Sequence, residues 1–225
     1  MNRVRIAVLD SGVHPTHPHV GGLAPGVWIT AEGVSEDTLD RLGHGTAVAS
    51  VIHHLAPEAE IVPVKIFDRQ LATNLAIILR AIDWCLDHNI QIINLSLGTI
   101  NENYRASFEK AILRTAQQNA VVVSAYAMKE TRLLPGRLEG VIGVIADEHH
   151  EADTYSVHQL EGKVVFGTVP YPRDIPGVPR RVNLNGVSFS VARVAASLAC
   201  LWRERPKEQT WEAFLASASL TTSLP

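Results

Sequence analysis

Apolar runs and helical repeats alternate along the chain. Short apolar runs, each typical of a buried strand, occupy residues 4–9, 61–67, 90–95, 121–124 and 141–146. Apolar residues recur at helical spacing in residues 44–55, 73–88, 108–115 and 191–202. This alternation predicts an α/β fold with a mostly parallel central sheet and helices on both of its faces.

Two polar stretches interrupt the alternation. Residues 32–41 are rich in charged side chains and are predicted to form a surface connection, whereas residues 147–161 are predicted to form a loop. The chain has 225 residues, of which 46% are hydrophobic, and this is enough for one domain with a full core. We therefore expect a single domain over residues 1–225.

Three side chains near the ends of these elements carry reactive groups. Asp10 follows the first strand, where α/β sheets build their sites, and His44 lies between two glycines at the start of a helix. Ser188 lies near the start of the last helix, whose N-terminal N–H groups and dipole can stabilise developing negative charge. Taken alone, Ser188 is more simply an N-capping residue. Together with Asp10 and His44, it supplies the groups of an activated nucleophile.

Four short motifs, in this order, resemble those of the subtilisin-like serine proteases, the subtilase family (peptidase S8). They are Asp-Ser-Gly at Asp10, Gly-His-Gly-Thr at His44, Ile-Ile-Asn-Leu-Ser-Leu-Gly over residues 92–98 and Gly-Val-Ser at Ser188. Each motif is short, but their order and their strand and helix context make the resemblance specific. It spans nearly the whole chain and implies a subtilisin-like fold, in a minimal catalytic domain without a pro-segment.

The resemblance implies a serine endopeptidase with an Asp10, His44 and Ser188 triad. His44 would be the general base for Ser188, and Asp10 would fix the imidazole tautomer and stabilise its charged form. In the family, the segment matching Ser96, Leu97 and Gly98 forms a wall of the pocket for the residue before the scissile bond and pairs with extended substrate. An ordinary strand-to-loop turn is the alternative for that segment.

The oxyanion hole departs from the family pattern. Aligning residues 121–128 with the family's valine-rich strand and Ala-Gly-Asn puts Met128 where the oxyanion-binding asparagine stands, and a thioether cannot donate a hydrogen bond. The backbone N–H of Ser188 remains as a donor. Tyr126 and Lys129 are candidates to supply the missing one.

Two functional hypotheses follow from the atypical Met128. We expect an endopeptidase that acts on a restricted peptide or protein substrate, such as a precursor peptide or a partner protein, because substrate binding can compensate for a weak oxyanion hole. The alternative is a catalytically weak or inactive pseudoprotease that serves as a peptide-binding or regulatory module.

Composition argues against several other partners. The net charge of −3 gives no electrostatic reason to expect nucleic acid or an anionic membrane as a partner, and no apolar run is long enough to span a bilayer. The N-terminus enters a strand without a signal-peptide apolar region, so a cytoplasmic location is predicted.

No cofactor and no metal are expected. The histidines of residues 14–19 alternate with prolines that restrict the backbone needed to converge ligands, so a metal site there is the less favoured alternative. The pair at residues 149–150 has no partner at ligand spacing and is predicted to be solvated. Cys85 and Cys200 lie in apolar helical patterns, which indicates buried thiols rather than a disulfide.

Overall fold

The computed structural model describes residues 3–149, 154–179 and 182–204. A short 3₁₀ helix, Glu102–Tyr104, directly precedes the α-helix Arg105–Gln117. In chain order, the strands and α-helices are β1 (Arg5–Asp10), β2 (Val27–Ile29), β3 (Val34–Ser35), α1 (His44–Leu55), β4 (Glu60–Lys65), α2 (Leu75–Asp87), β5 (Ile92–Leu95), α3 (Arg105–Gln117), β6 (Val121–Ala125), β7 (Ala127–Met128), β8 (Thr131–Arg132), β9 (Val141–Ala146), β10 (Ser156–Leu160), β11 (Lys163–Thr168) and α4 (Val187–Glu204).

Nine of these strands form one sheet, in the order β10–β11–β9–β6–β5–β1–β4–β2–β3. Every pairing from β11 to β2 is parallel, and only the two edge strands, β10 and β3, are antiparallel to their neighbours. β7 and β8 form a separate hairpin that follows β6. The predicted α/β fold with a mostly parallel central sheet is confirmed.

Side chains of the central strand β1 alternate between two apolar layers. Ile6 and Val8 pack in one layer with residues of α1 and α4, whereas Ala7 and Leu9 pack in the other with residues of α2 and α3. All four side chains are fully or almost fully buried. This alternation explains why the sheet carries helices on both faces. It also places α1 against α4, the two helices that begin at His44 and Val187.

The prediction of a loop over residues 147–161 is wrong. Ser156–Leu160 forms the edge strand β10, which pairs with β11 on one side only. Its side chains are partly or largely exposed, so polar residues are tolerated, and the strand lacks the apolar run that marks the interior strands. His150 lies outside the described residues.

The two cysteines are both thiols. Cys85 is buried in α2, and burial raises the pKa of its thiol. Cys200 is only partly buried, and its Sγ lies 3.5 Å from the carbonyl oxygen of Leu55.

Over the three described ranges, no helix is both long and apolar enough to cross a membrane. The single domain over residues 1–225 stays a prediction.

Candidate active site

An aspartate–histidine pair lies at the carboxyl end of β1. Nδ1 of His44 donates to Oδ1 of Asp10 over 2.8 Å. The side chain of Asp10 is fully buried, and that of His44 is 18% exposed. The backbone N–H of Ser11 donates to the same carboxylate oxygen, also over 2.8 Å. Because Nδ1 is the donor, Nε2 of His44 is the nitrogen that can accept a proton.

Glycine is required for the close approach of α1 to β1. A Cβ at Gly45 would lie 2.2 Å from the carbonyl oxygen of Gly12 and 3.2 Å from Cβ of Asp10. The N–H of Gly45 donates to Oγ of Ser11 over 3.0 Å. The flanking Gly43 has a φ of 82°, a conformation that favours glycine. The two glycines around His44 therefore have separate roles in holding the helix against the strand.

Ser188 is the second residue of α4, the helix that packs against α1. Its hydroxyl donates to the carbonyl oxygen of Ser96 over 3.4 Å. The next residue, Phe189, is buried and has its ring centroid 5.7 Å from that of His44. Ser188 thus contacts the segment after β5, and its neighbour in α4 lies next to the His44 ring.

The segment Ser96, Leu97 and Gly98 follows β5 and runs next to the nucleophile. Oγ of Ser96 accepts a hydrogen bond from Nδ2 of Asn94 over 2.9 Å, and the carbonyl oxygen of Leu97 accepts one from Oγ of Ser124 over 3.0 Å. These side-chain contacts hold the segment against β5 and β6. Its position beside Ser188 suits the predicted wall of a substrate pocket.

Met128 lies in the β7–β8 hairpin, where it pairs with Thr131. Its side chain is 60% exposed, and its thioether cannot donate a hydrogen bond. Of the two candidate replacements, Tyr126 is buried and its hydroxyl donates to Oε2 of Glu161 over 3.3 Å, so that hydroxyl is already engaged. Lys129 is exposed at the turn of the hairpin. The backbone N–H of Ser188 stays the predicted donor.

Asp40 is a functional residue that the sequence interpretation missed. Residues 32–41 were predicted to be a surface connection, but Asp40 is only 8% exposed. One of its oxygens accepts from the N–H groups of Leu42 and Gly43, and the other accepts from the N–H and the hydroxyl of Thr46. Asp40 therefore fixes the first turn of the helix that begins at His44. Its position just before a helix start is the sequence signal that could have found it.

Lys65 supports the same segment from β4. It is fully buried, and its Nζ donates to the carbonyl oxygen of Leu39 over 3.0 Å. The ammonium also pairs with Asp68 at 3.2 Å and lies 4.5 Å from the centroid of the Trp28 ring. A buried ammonium needs such partners, because an uncompensated buried charge is strongly destabilising. Lys65 thus anchors the residue before Asp40.

Opposing effects set the proton affinity of His44. Burial by itself lowers the pKa of the imidazole, but the hydrogen bond and charge of Asp10, together with the charge of Asp40, outweigh burial and raise the pKa above its ordinary value. Burial likewise acts to raise the pKa of Asp40, but the hydrogen bonds from Thr46, Leu42 and Gly43 hold it below its ordinary value. Two carboxylates therefore stabilise the imidazolium form of His44.

The histidine-rich loop after β1 has a structural arrangement. The N–H of His14 donates to Oγ1 of Thr46 over 3.0 Å, and the rings of His17 and His19 meet edge to face at 5.3 Å between centroids. In the part of the chain that the structure describes, no group of three or more histidine, cysteine or acidic residues could hold a metal ion.

A parallel sheet with an aspartate–histidine pair at its carboxyl edge, and a serine at the start of the helix that packs against α1, is the arrangement of the subtilisin-like class. The model of the subtilase family matches residues 2–224. The chain therefore belongs to the subtilase family, as the four motifs predicted.

Relatives with known names agree with this family. The chain is 30% identical over 219 residues to the thermostable alkaline protease of Halalkalibacterium halodurans, covering 91% of this chain and 58% of that protein. It is 26% identical over 227 residues to subtilisin E of Bacillus subtilis, covering 93% of this chain and 57% of that protein. The chain thus spans a little over half the length of these relatives. A crystal structure of a lanthipeptide protease shares the fold, with a TM-score of 0.70 and 21% identity over 96% of this chain and 78% of that one.

We predict that Asp40→Asn destabilises the protein and lowers the pKa of His44. The amide nitrogen of asparagine cannot accept the two hydrogen bonds from Thr46, so the free energy of unfolding should fall by about 1–3 kcal/mol. Loss of the nearby negative charge should lower the His44 pKa. Denaturant unfolding and NMR titration measure the two effects. Asp37→Asn, at an exposed neighbouring carboxylate, is the matched control and should change both much less. An unchanged His44 pKa in Asp40→Asn would contradict the assignment.

The raised pKa of His44 predicts the pH dependence of activity and of stability. NMR titration of the free protein should give a midpoint above the ~6.5 of an unperturbed histidine. Because a general base must be neutral, the acid limb of kcat/KM should have the same midpoint. The stabilisation of folded protein by protonated His44 should be complete below pH ~6.5 and should be lost as the pH rises through the folded-state pKa. A midpoint at or below ~6.5 would contradict this prediction.

Proposed function

We propose that the chain is a serine endopeptidase that hydrolyses peptide bonds with Asp10, His44 and Ser188. The observation that carries this proposal is the 2.8 Å hydrogen bond between His44 and a buried Asp10; it is supported by the position of Ser188 at the start of α4, the helix whose Phe189 lies next to the His44 ring. Membership of the subtilase family supports the same reaction.

The proposed reaction is acyl transfer in two steps. Nε2 of His44 accepts the proton of the Ser188 hydroxyl while Oγ attacks the peptide carbonyl, and the imidazolium then protonates the leaving amine. In the second step His44 removes a proton from water while the water oxygen attacks the acyl carbonyl, and the imidazolium returns that proton to Oγ of Ser188, which leaves as the carboxylic acid product is released. Asp10 keeps Nδ1 protonated and stabilises the imidazolium that forms in each step.

We propose a restricted substrate because the oxyanion hole is weak. Without a donor at Met128, the N–H of Ser188 and the positive end of α4 are the groups proposed to stabilise the oxyanion. Binding energy from an extended substrate, paired with Ser96, Leu97 and Gly98, then has to position the scissile bond. A precursor peptide or a partner protein, held over many residues, would provide that energy. The predicted cytoplasmic location stays a prediction.

A pseudoprotease is the second candidate function. The observation that favours it is the exposed thioether of Met128 at the expected donor position, together with the engaged hydroxyl of Tyr126. In that case the segment beside Ser188 would bind a peptide without cleaving it, and the chain would act as a peptide-binding or regulatory module.

Labelling with a fluorophosphonate probe separates the two candidates. We expect intact-mass analysis to show one adduct on the folded protein and none on Ser188→Ala or His44→Ala, because only an activated serine reacts readily. Circular dichroism must show that both variants are folded. If the folded wild-type protein forms no adduct, the protease proposal fails and the peptide-binding candidate takes its place.

Restoring a donor at residue 128 tests the explanation of the weak oxyanion hole. Removing one such donor from a related enzyme costs about 10²- to 10³-fold in turnover, so Met128→Asn should raise kcat by up to this factor. Turnover is measured on the peptide that the wild-type protein cleaves fastest. Met128→Leu, which offers no donor either, should give no such gain. Equal turnover in the asparagine and leucine variants would show that this position does not face the oxyanion.

A further inference from the structure

The buried side chain of Leu133 packs beside Gly98, in the segment that follows β5 and contacts Ser188. A Cβ built on Gly98 would lie 2.8 Å from both Cβ and Cδ1 of Leu133. Leu133 is only 7% exposed and packs in the same apolar layer as α1 and α4. It therefore lies on the face of the sheet that carries His44 and Ser188, directly over the backbone of Gly98.

Backbone hydrogen bonds fix the position of Leu133. Its N–H donates to the carbonyl oxygen of Tyr126 over 2.8 Å. The next residue, Leu134, exchanges two hydrogen bonds of 2.8 and 2.9 Å with Thr99, which itself follows Gly98. The two segments are thus paired side by side. These bonds hold the backbone of Leu133 beside that of Gly98.

The segment that contains Gly98 and pairs with Leu134 also contacts Ser188. Oγ of Ser188 contacts the carbonyl oxygen of Ser96, and Gly98 is two residues further along, or roughly 7 Å in extended chain. A peptide that pairs with this segment and offers its carbonyl to Ser188 would direct the side chain before the scissile bond towards Gly98 and Leu133. Leu133 fills the space directly beside Gly98, since a Cβ at Gly98 would already meet two of its carbon atoms at 2.8 Å.

We propose that Leu133 closes the pocket for the residue before the scissile bond, so that the chain selects glycine, alanine or serine at that position. The inference rests on the proposed function and names its substrate class. A larger side chain would overlap Leu133, and a close-packed interior admits extra methylene groups only with strain. Selectivity would come from this steric limit, because hydrophobic pockets discriminate through the volume that they offer.

Cleavage of a peptide set that varies only this residue tests the proposal. For the wild-type protein we expect kcat/KM with alanine to exceed that with phenylalanine by about 10- to 100-fold. In Leu133→Ala this ratio should fall by at least about tenfold, because the vacated space admits the ring. Leu138→Ala, an equivalent truncation in the opposite apolar layer, controls for a general loss of packing and should keep the wild-type ratio.

Binding to inactive protein separates this inference from the proposed function. In the Ser188→Ala background, product peptides ending in alanine should bind about tenfold or more tightly than those ending in phenylalanine, and Leu133→Ala should remove the difference. If this selectivity is found but no protein cleaves peptide, the protease proposal fails and the pocket assignment stands. If wild type cleaves well after phenylalanine, or if neither product binds, the pocket assignment is overturned.

The contact between Gly98 and Leu133 can also be tested by stability. Gly98→Ala should lower the melting temperature, since its Cβ would meet Leu133 at 2.8 Å. The double variant Gly98→Ala/Leu133→Ala should recover part of that loss relative to the sum of the single variants. Additive losses would show that the two residues do not share the space and would contradict the proposal. This readout remains informative even if Leu133→Ala is less stable than the wild-type protein.

Discussion

The hydrogen bond from His44 to Asp10 joins the end of a buried central strand to the first residue of a helix, and the rest of the site depends on this junction. The junction requires the backbone of α1 to lie almost against the turn after β1, and only glycine fits at Gly45. It also places an ionisable carboxylate where water does not reach it. Donors of Ser11 and His44 meet Oδ1 of Asp10, and these hydrogen bonds offset part of the cost of burying the carboxylate.

Burial of charge around this junction explains two residues that do not face the substrate. Asp40 and Lys65 are almost completely buried, and the contacts of each include a backbone group within the connection that leads into α1. Breaking a buried charged contact by removing one partner costs more than the contact contributes net, since the remaining group is left without compensation. The connection is therefore held in one conformation, and His44 begins its helix in a fixed orientation. The carboxylate of Asp40 additionally stabilises the imidazolium form.

The elements with strong apolar patterns could be predicted from the sequence, and those defined by long-range contacts could not. The bounds of α1 and β9 match the predicted residues 44–55 and 141–146, because interior strands and core-facing helices carry an unmistakable apolar signal. The edge strand β10 was missed, because pairing on one side only leaves its side chains polar. Asp10 and His44 were found through motifs, and the structure places them in contact. Leu133 gave no signal, since its neighbour Gly98 lies far away in the chain and only the folded sheet brings them together.

The connection from β6 to β9 contains both Met128 and Leu133, the residues on which the proposed weak oxyanion hole and the proposed small pocket depend. Met128 lies at one end of its hairpin, and Leu133 follows directly after the other end. The pairing of Leu134 with Thr99 ties this connection to the segment beside Ser188, so the proposed oxyanion position and the proposed pocket lie on one hydrogen-bonded connection. A small side chain before the scissile bond contributes little binding energy, and a missing donor removes transition-state stabilisation. Under the two proposals, contacts further along the substrate have to provide the missing affinity and alignment, which is the physical reason for proposing a long, specific substrate.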